Sequence, residues 1–501
     1  VVGISDVRRA IQKLRHEKRD GDQGLISSHL KHCTEAFIHC LARLFTCMYV
    51  HGHQAAPLLN ATIVPIPKDG NKSMADASNY RGIALSSSIA KVFDLVFLRR
   101  NETFLKTSNL QFAFKKDFST TMCTLAMKEV ALHYLNRDSD VFACFLDATK
   151  AFDRVRFDCL FEILIERGVK WPDLRMLLDL YQHQCARVSW GAAHSSYFSV
   201  SNGIRQGSII SPVLFAIYMD PLIDMLRRSD VGCWVGHAFY GAMIYADDIT
   251  LLSPSVSGLR QMLQVCEEFC AERGINFNAA KSVCMRFTMK REAAEPVVEI
   301  GGVPLKWANC VRHLGNYVSH NLSEEAEVNR KRGDIFGRVN AVLANFADMP
   351  PSVVSKILNT QCFHLYGCQA WWLIDANIDR MITAVNRSIR RALKLHPRTH
   401  RFLLPALTGY RPAEEQIVER CRRMIDALKC SGDDMNLLCR MCEMDSASII
   451  ASNKAKINSF VRRQLTDEEE AVVQALFDLE SGVVGFDREE TDLFFEALCI
   501  S

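Results

Sequence analysis

Apolar positions recur along this chain at two spacings, and together they predict its elements. Val7, Ile11 and Leu14 fall at helical spacing with bases on the other face, so a helix starts at Ser5 or Asp6, either able to cap it. A second helix is predicted over about 28–49. The run Ala61 to Ile66 is β-rich and ends in a turn with Lys68 at its tip, and helices follow at about 88–100 and up to about 135. Val141 to Asp147 reads as a buried strand ending in an acid. Phe157, Leu160, Phe161 and Leu164 mark a helix face stopped by Gly168. Strands at 186–190 and 197–200 form a hairpin, and a helix opens at about Ser211. Apolar runs on both sides of Asp247 and Asp248 predict a tight hairpin with two acids in its turn. Leu259, Met262, Leu263, Cys266 and Phe269 give another helix, ended by Gly274. A strand at 282–287, a two-residue hairpin at Gly301-Gly302 and a short strand at 313–318 follow, and from about Ser323 the chain turns helical. Strands, helices and hairpins in this order predict an α+β fold rather than a βαβ repeat.

Composition adds limits. At 501 residues the chain is too long for one ordinary core, which implies two to four packed subdomains. No apolar run reaches the roughly 18 residues of a membrane span, so no membrane partner is expected. The first residue is Val and no signal-like segment follows it, which reads as an excerpt of a longer reading frame from an intracellular protein. Nineteen scattered cysteines suit a reducing compartment, and Cys430, Cys439 and Cys442 read as thiols rather than as a zinc site. Net charge is +3, but residues 464–501 hold eleven acids and one base, a net −10, so residues 1–463 carry +13. A basic body points to a polyanionic partner.

The candidate chemistry centres on carboxylates. Taken alone, Asp247-Asp248 reads as a solvated turn. Asp147, however, ends a buried strand where an acid is poorly solvated without a partner. Lys68 and Arg81 flank one loop and are placed to reach an anion. Residues 111–120 interleave aromatics with bases, and glycines in 202–212 let backbone approach a ligand before a helix. A helix from Asn386 to Arg401 places Arg387, Arg390, Arg391 and Lys394 on one stripe, able to lie along a phosphate backbone.

In combination these blocks resemble the reverse transcriptase of non-LTR (LINE-type) retrotransposons, over about residues 5–405. Phe145-Leu146-Asp147-Ala148-Thr149-Lys150-Ala151-Phe152-Asp153 resembles the family's motif A. Gly203-Ile204-Arg205-Gln206-Gly207 through Phe215 resembles motif B, Tyr245-Ala246-Asp247-Asp248 motif C, Asn278 to Lys281 motif D, and His313-Leu314-Gly315 motif E. Pro65-Ile66-Pro67-Lys68 and Asn79-Tyr80-Arg81-Gly82-Ile83 resemble its fingers motifs. Gly82 stands where the family usually has Pro, and Ala113 and Asp117 stand where it has glycines, which bears on loop geometry rather than chemistry.

The resemblance implies a right-hand polymerase: fingers at 1–140, palm at 141–320, helical thumb at 321–405, and a C-terminal helical region with an acidic tail at 406–501. It implies an RNA-directed DNA polymerase that extends a DNA primer on an RNA template with dNTPs, using two Mg²⁺ ions (Mn²⁺ being an alternative). Asp147, Asp247 and Asp248 would be catalytic and metal-binding, with Asp248 the more tolerant member. Lys68 and Arg81 would hold the triphosphate, Gln206 and Gly207 would line the nucleotide pocket, and Lys281 would protonate or neutralise pyrophosphate. Phe152 would pack on the sugar and exclude a 2′-hydroxyl. An endonuclease domain of the same polyprotein and a cytoplasmic and nuclear location go with that family. A group II intron-type maturase and a decayed copy that only binds RNA are the rival readings.

Overall fold

The computed structural model describes residues 1–16, 24–70, 72–149, 151–290, 295–346, 348–460 and six residues between 466 and 474. Lys150 and most of the acidic stretch 464–501 therefore lie outside the described residues.

Two five-stranded sheets organise the chain. In the first, Asn60–Pro67 pairs antiparallel with Tyr80–Ser86 and parallel with Cys185–Trp190, which in turn pairs with Phe198–Ser199. The strand Cys185–Trp190 falls, by number, within the stretch assigned to the palm. This sheet thus joins residues from both sides of the expected boundary at 140/141. The cause is that the 186–200 hairpin leaves its neighbours to complete a sheet around Asn60–Pro67.

In the second sheet Val141–Asp147 is central. Asp248–Ser253 and Val283–Phe287 flank it antiparallel, with Ala242–Tyr245 and Lys306–Trp307 at the edges. An apolar strand suits this place because both its faces are covered: Val141, Ala143 and Cys144 are fully buried. Helices Thr120–Leu135 and Val256–Arg273 pack on it. A separate N-terminal core gathers Val7, Ile11, Phe45, Phe93 and Met176. No described helix is long and apolar enough to cross a membrane.

Several local expectations are corrected. The first helix is Ile4–Lys13, and Gly3 rather than Ser5 or Asp6 precedes it. The helix expected over 28–49 is two, Ser27–Lys31 and Glu35–His51, because the Thr34 side chain accepts Phe37 N–H and starts a new helix. The strand expected at 313–318 is a hairpin, with Leu314 and Gly315 left-handed between Cys310–His313 and Asn316–Ser319. The helix expected from Asn386 to Arg401 is Asp375–Ala392.

Helix Thr120–Leu135 is buried on every side, which needs a second layer beyond the sheet. The turn Cys368–Ala370 and the C-terminal helix Asp433–Met444 pack on this helix, and helices Ala413–Cys430 and Ile449–Ser459 back them. Lys128 pairs with both Glu324 oxygens at 3.0 and 3.1 Å in the interior. Glu129 accepts Ile450 N–H at 2.6 Å through one carboxylate oxygen, while the other has no hydrogen-bond partner among the described residues.

Burial pushes Glu129 up to about 7 from the usual 4.5, against the pull of the Ile450 amide and the Cys442 thiol. The folded state therefore holds this proton more tightly than the unfolded chain. Wild-type stability falls as pH rises from 4.5 to about 7 and is level above that. Glu129→Gln cannot ionise. It is expected to match wild type near pH 4.5 and to exceed it at pH 8 by about 1–3 kcal/mol. Thermal melts at the two pH values check this, and a difference independent of pH counts against it.

Candidate active site

The acidic hairpin forms where the sequence places it. Ala242–Tyr245 and Asp248–Ser253 pair antiparallel, Tyr245 opposite Asp248, and Ala246 takes a left-handed φ of 58° to close the turn with Asp247. Across the next strand Asp248 stands opposite Asp147. Directly opposed residues of a sheet project from the same face, so the two carboxylates share one side of it. All three acids are half-buried.

Their electrostatics follow from that crowding. Burial pushes Asp247 up, and the charge of Asp147 adds to it. Asp248 is pushed up to about 6, first by burial and then by repulsion from Asp247 and Asp147. Arg81, opposite Ile66 at the end of the first sheet's hairpin, pulls both back down. Lys281 Nζ lies 3.5 Å from Asp147 Oδ2. The loop that carries Lys281 is laced to the strand: Asn278 N–H donates to Asp147 O at 2.8 Å, and Thr149 N–H donates to Asn276 O at 2.8 Å.

The glycine-bearing loop before helix Ser211–Arg228 packs against the turn that follows Asp147. Ile204 N–H donates to Phe152 O (2.9 Å), and Gln206 Nε2 donates to Asp153 Oδ1 (3.2 Å). Ala84 N–H donates to Gln206 O at 2.6 Å. Gly207 has a φ of 121°, and a Cβ there would lie 2.5 Å from Ala84 O, so only glycine fits. The Phe152 ring, half-buried, stacks on Phe215 with centroids 4.3 Å apart.

Asp147, Asp247, Asp248, Arg81 and Lys281 thus come together, with Gln206, Gly207 and Phe152 on the adjoining loops. Lys68 is exposed but turned to its own loop, its Nζ donating to Ser78 O at 2.8 Å. The basic stripe does not form. Lys394 lies beyond the helix end with a left-handed φ of 56°, and Arg390 is used internally, donating to Thr399 O at 2.7 and 2.9 Å. Arg391 donates to Asn340 of the neighbouring helix, and Arg387 remains exposed. The helix ends at Ala392, short of Lys394.

Two further residues support the acidic turn, each from a stretch the sequence singles out for another reason. Gln111 is fully buried, and its Oε1 accepts Ala246 N–H at 3.3 Å, bracing the acidic turn. His313 lies beneath the same strand, 3.1 Å from Thr250 Oγ1, and burial holds it down at about 4, hence neutral. Asp117, at a place where the related motif has glycine, adopts a left-handed φ of 66°, which Asp tolerates better than most residues.

The three carboxylates are neighbours that do not yet converge. Among the described residues, no three His, Cys, Asp or Glu side chains are close enough to hold an ion as they stand. The donor set nonetheless suits hard divalent cations, which favour carboxylate oxygens. Burial pushes Asp247 and Asp248 up, and the repulsion among the acids that adds to it is what a cation relieves.

Residues 66–318 match the family described as reverse transcriptase (RNA-dependent DNA polymerase). The RNA-directed DNA polymerase from mobile element jockey of Drosophila funebris is 25% identical over 64% of this chain and 36% of its own length. The Pol polyprotein of the type-1 retrotransposable element R2 of Nasonia vitripennis is 24% identical over 48% of this chain and 23% of its own. An apo telomerase structure from Candida tropicalis shares 10% identity over 89% of this chain and 73% of that one, with a TM-score of 0.42, too loose to argue from. The chain spans about a third of the length of the first curated relatives it matches.

Proposed function

Because the chain belongs to the reverse transcriptase (RNA-dependent DNA polymerase) family, we propose that it copies an RNA template into DNA, extending a DNA primer 3′ end with dNTPs, as the polymerase portion of a non-LTR retrotransposon. The observation that carries this is Asp147 facing Asp248 across two strands, with Asp247 in the adjoining turn and cationic Arg81 and Lys281 around them.

Asp147 and Asp247 would hold divalent ions, Mg²⁺ or Mn²⁺, with Asp248 beside them. When bound, such ions activate the attacking hydroxyl and stabilise the leaving pyrophosphate. The chain's own residues do the rest. Arg81 offers a cation to the triphosphate, and Lys68 is a second cation on the same hairpin once released from Ser78. Lys281 is held ready by Asp147; as that carboxylate takes up other positive charge, the lysine is freed to neutralise or protonate pyrophosphate. Gln206 and Gly207 line the nucleotide pocket. Phe152, fixed by its stack on Phe215, presents its free edge to the sugar and disfavours a 2′-hydroxyl.

In this reading the two sheets belong to fingers and palm, and the helices from Glu325 form the thumb. Arg387 and Lys394 remain for the nucleic-acid backbone. The DNA target and an endonuclease domain of the same polyprotein would complete target-primed transcription.

Extension of oligo(dT) on poly(rA) with dTTP and Mg²⁺ tests the reading, with Asp247→Ala as the inactive control. Tight template binding without extension by the wild type would leave only an RNA-binding protein.

A further inference from the structure

Asp94 sits in the middle of helix Ser88–Arg100, more than fifty residues in sequence from each of the three catalytic candidates, and is buried. A carboxylate in such a place is costly unless hydrogen bonds hold it. Its Oδ2 accepts from Ser208 Oγ at 2.8 Å and from Ile209 N–H at 3.2 Å. The Ser208 hydroxyl also accepts Ile210 N–H at 3.3 Å, so the acid reaches through it to the start of helix Ser211–Arg228, which has no side-chain cap of its own.

The same loop is pinned at two further points. Arg205 donates to Gln184 Oε1 at 3.1 Å and to the Leu59 carbonyl, and Ala84 N–H donates to Gln206 O. Gln206 and Gly207 stand between the Arg205 and Asp94 anchors. A cavity of about 10 Å³ adjoins Asp94, Tyr181, Arg205, Ser208 and Ser211. That is room for about one water molecule, so the acid is not there to bind a solute.

We propose that Asp94 is a positioning residue for nucleotide binding: through Ser208 and Ile209 it fixes the height and tilt of the Gln206–Gly207 loop over the pocket. This rests on the reading that those two residues line the nucleotide site. The carboxylate never touches substrate; it sets where Gln206 and the Gly207 backbone meet it. Misplacement of a preformed binding loop weakens nucleotide capture more than it slows chemistry at acids carried by a different sheet.

The experiment is extension of oligo(dT) on poly(rA) at varied dTTP, with primer–template affinity and thermal melting measured in parallel. Asp94→Asn keeps shape and removes charge. It is expected to raise the KM for dTTP by about tenfold or more, with kcat within about threefold and primer–template affinity unchanged. Ser208→Ala removes only the relay hydroxyl and is expected to shift KM the same way. The double variant is expected to be no worse than the more affected single one, because the two act as one unit. Should Asp94→Asn not fold, Ser208→Ala alone decides. A lower melting temperature with a wild-type KM overturns the proposal and leaves Asp94 a purely structural residue. Absence of turnover in the wild type overturns the polymerase reading itself, and this proposal with it.

Discussion

Asp247→Asn will abolish primer extension, by about a thousandfold or more, and the inactive protein will melt no lower than wild type. On the proposed function, the activity loss follows from removing a carboxylate that would position divalent charge at the reacting phosphate, where electrostatic stabilisation is commonly the largest single contribution. The stability result follows from the crowding of three half-buried acids. Asp248 shows it most clearly. Its carboxyl is pushed up to about 6 from the usual 3.8, by burial and then by Asp247 and Asp147. The folded state therefore binds this proton more tightly than the unfolded chain. Wild-type stability falls as pH rises from 3.8 to about 6 and stays level above. Asp248→Asn is thus expected to gain stability across that window and to keep about 1–2 kcal/mol at pH 7.5, a figure discounted for the group's partial exposure. Mg²⁺ supplies a check that does not depend on turnover. It should raise the melting temperature of wild type and should do so far less for Asp247→Asn. An inactive Asp247→Asn that melts well below wild type would mean that the acids support the fold rather than strain it.

Much of this site was legible because its residues interrupt patterns. Asp147 ends a run of apolar residues that only a buried strand explains, and Asp247-Asp248 break another; strand pairing then brings 147 opposite 248. Gly207 was visible as a glycine near a helix start, though the reason that it must be glycine, the Ala84 carbonyl 2.5 Å from its missing Cβ, belongs to tertiary structure. The roles of Gln111 and Asp94 were not legible. Each is a single polar residue in an apolar stretch, and what makes it important is a partner more than a hundred residues away. The basic stripe failed for a related reason. Helical spacing was extended past Ala392, where the chain turns left-handed at Lys394 and Arg390 closes the following loop. Register within a strand is local information; where a helix stops and what covers it is not.

That difference is sharpest for residues 406–501, whose sequence indicated helices and nothing of their place. A chain ending after Thr408 is expected to lose the polymerase altogether and to be recovered as aggregate, although every catalytic candidate is retained. The reason lies behind the catalytic sheet. Helix Thr120–Leu135, which packs on the strands bearing Asp147 and Tyr245, is buried on all sides, and Ile450, Cys442 and Ser431 close its far side. Asn453 holds Leu373 N–H at 2.8 Å and Trp371 O at 2.7 Å, fastening the segment that also accepts Lys128 at Ala370 O. Truncation would expose Met122, Trp371 and Cys368 and strand Glu129 and the Lys128–Glu324 pair near water-accessible edges. Large apolar side chains contribute about 1.5–3 kcal/mol each when buried. Losing several at once exceeds the roughly 5–15 kcal/mol by which a domain is stable. A chain ending after Phe460 keeps all three helices and serves as the control; it should melt cooperatively. Soluble, cooperatively melting protein from the shorter chain would show that the sheet and its first helix layer stand alone and that the C-terminal helices are an accessory to them.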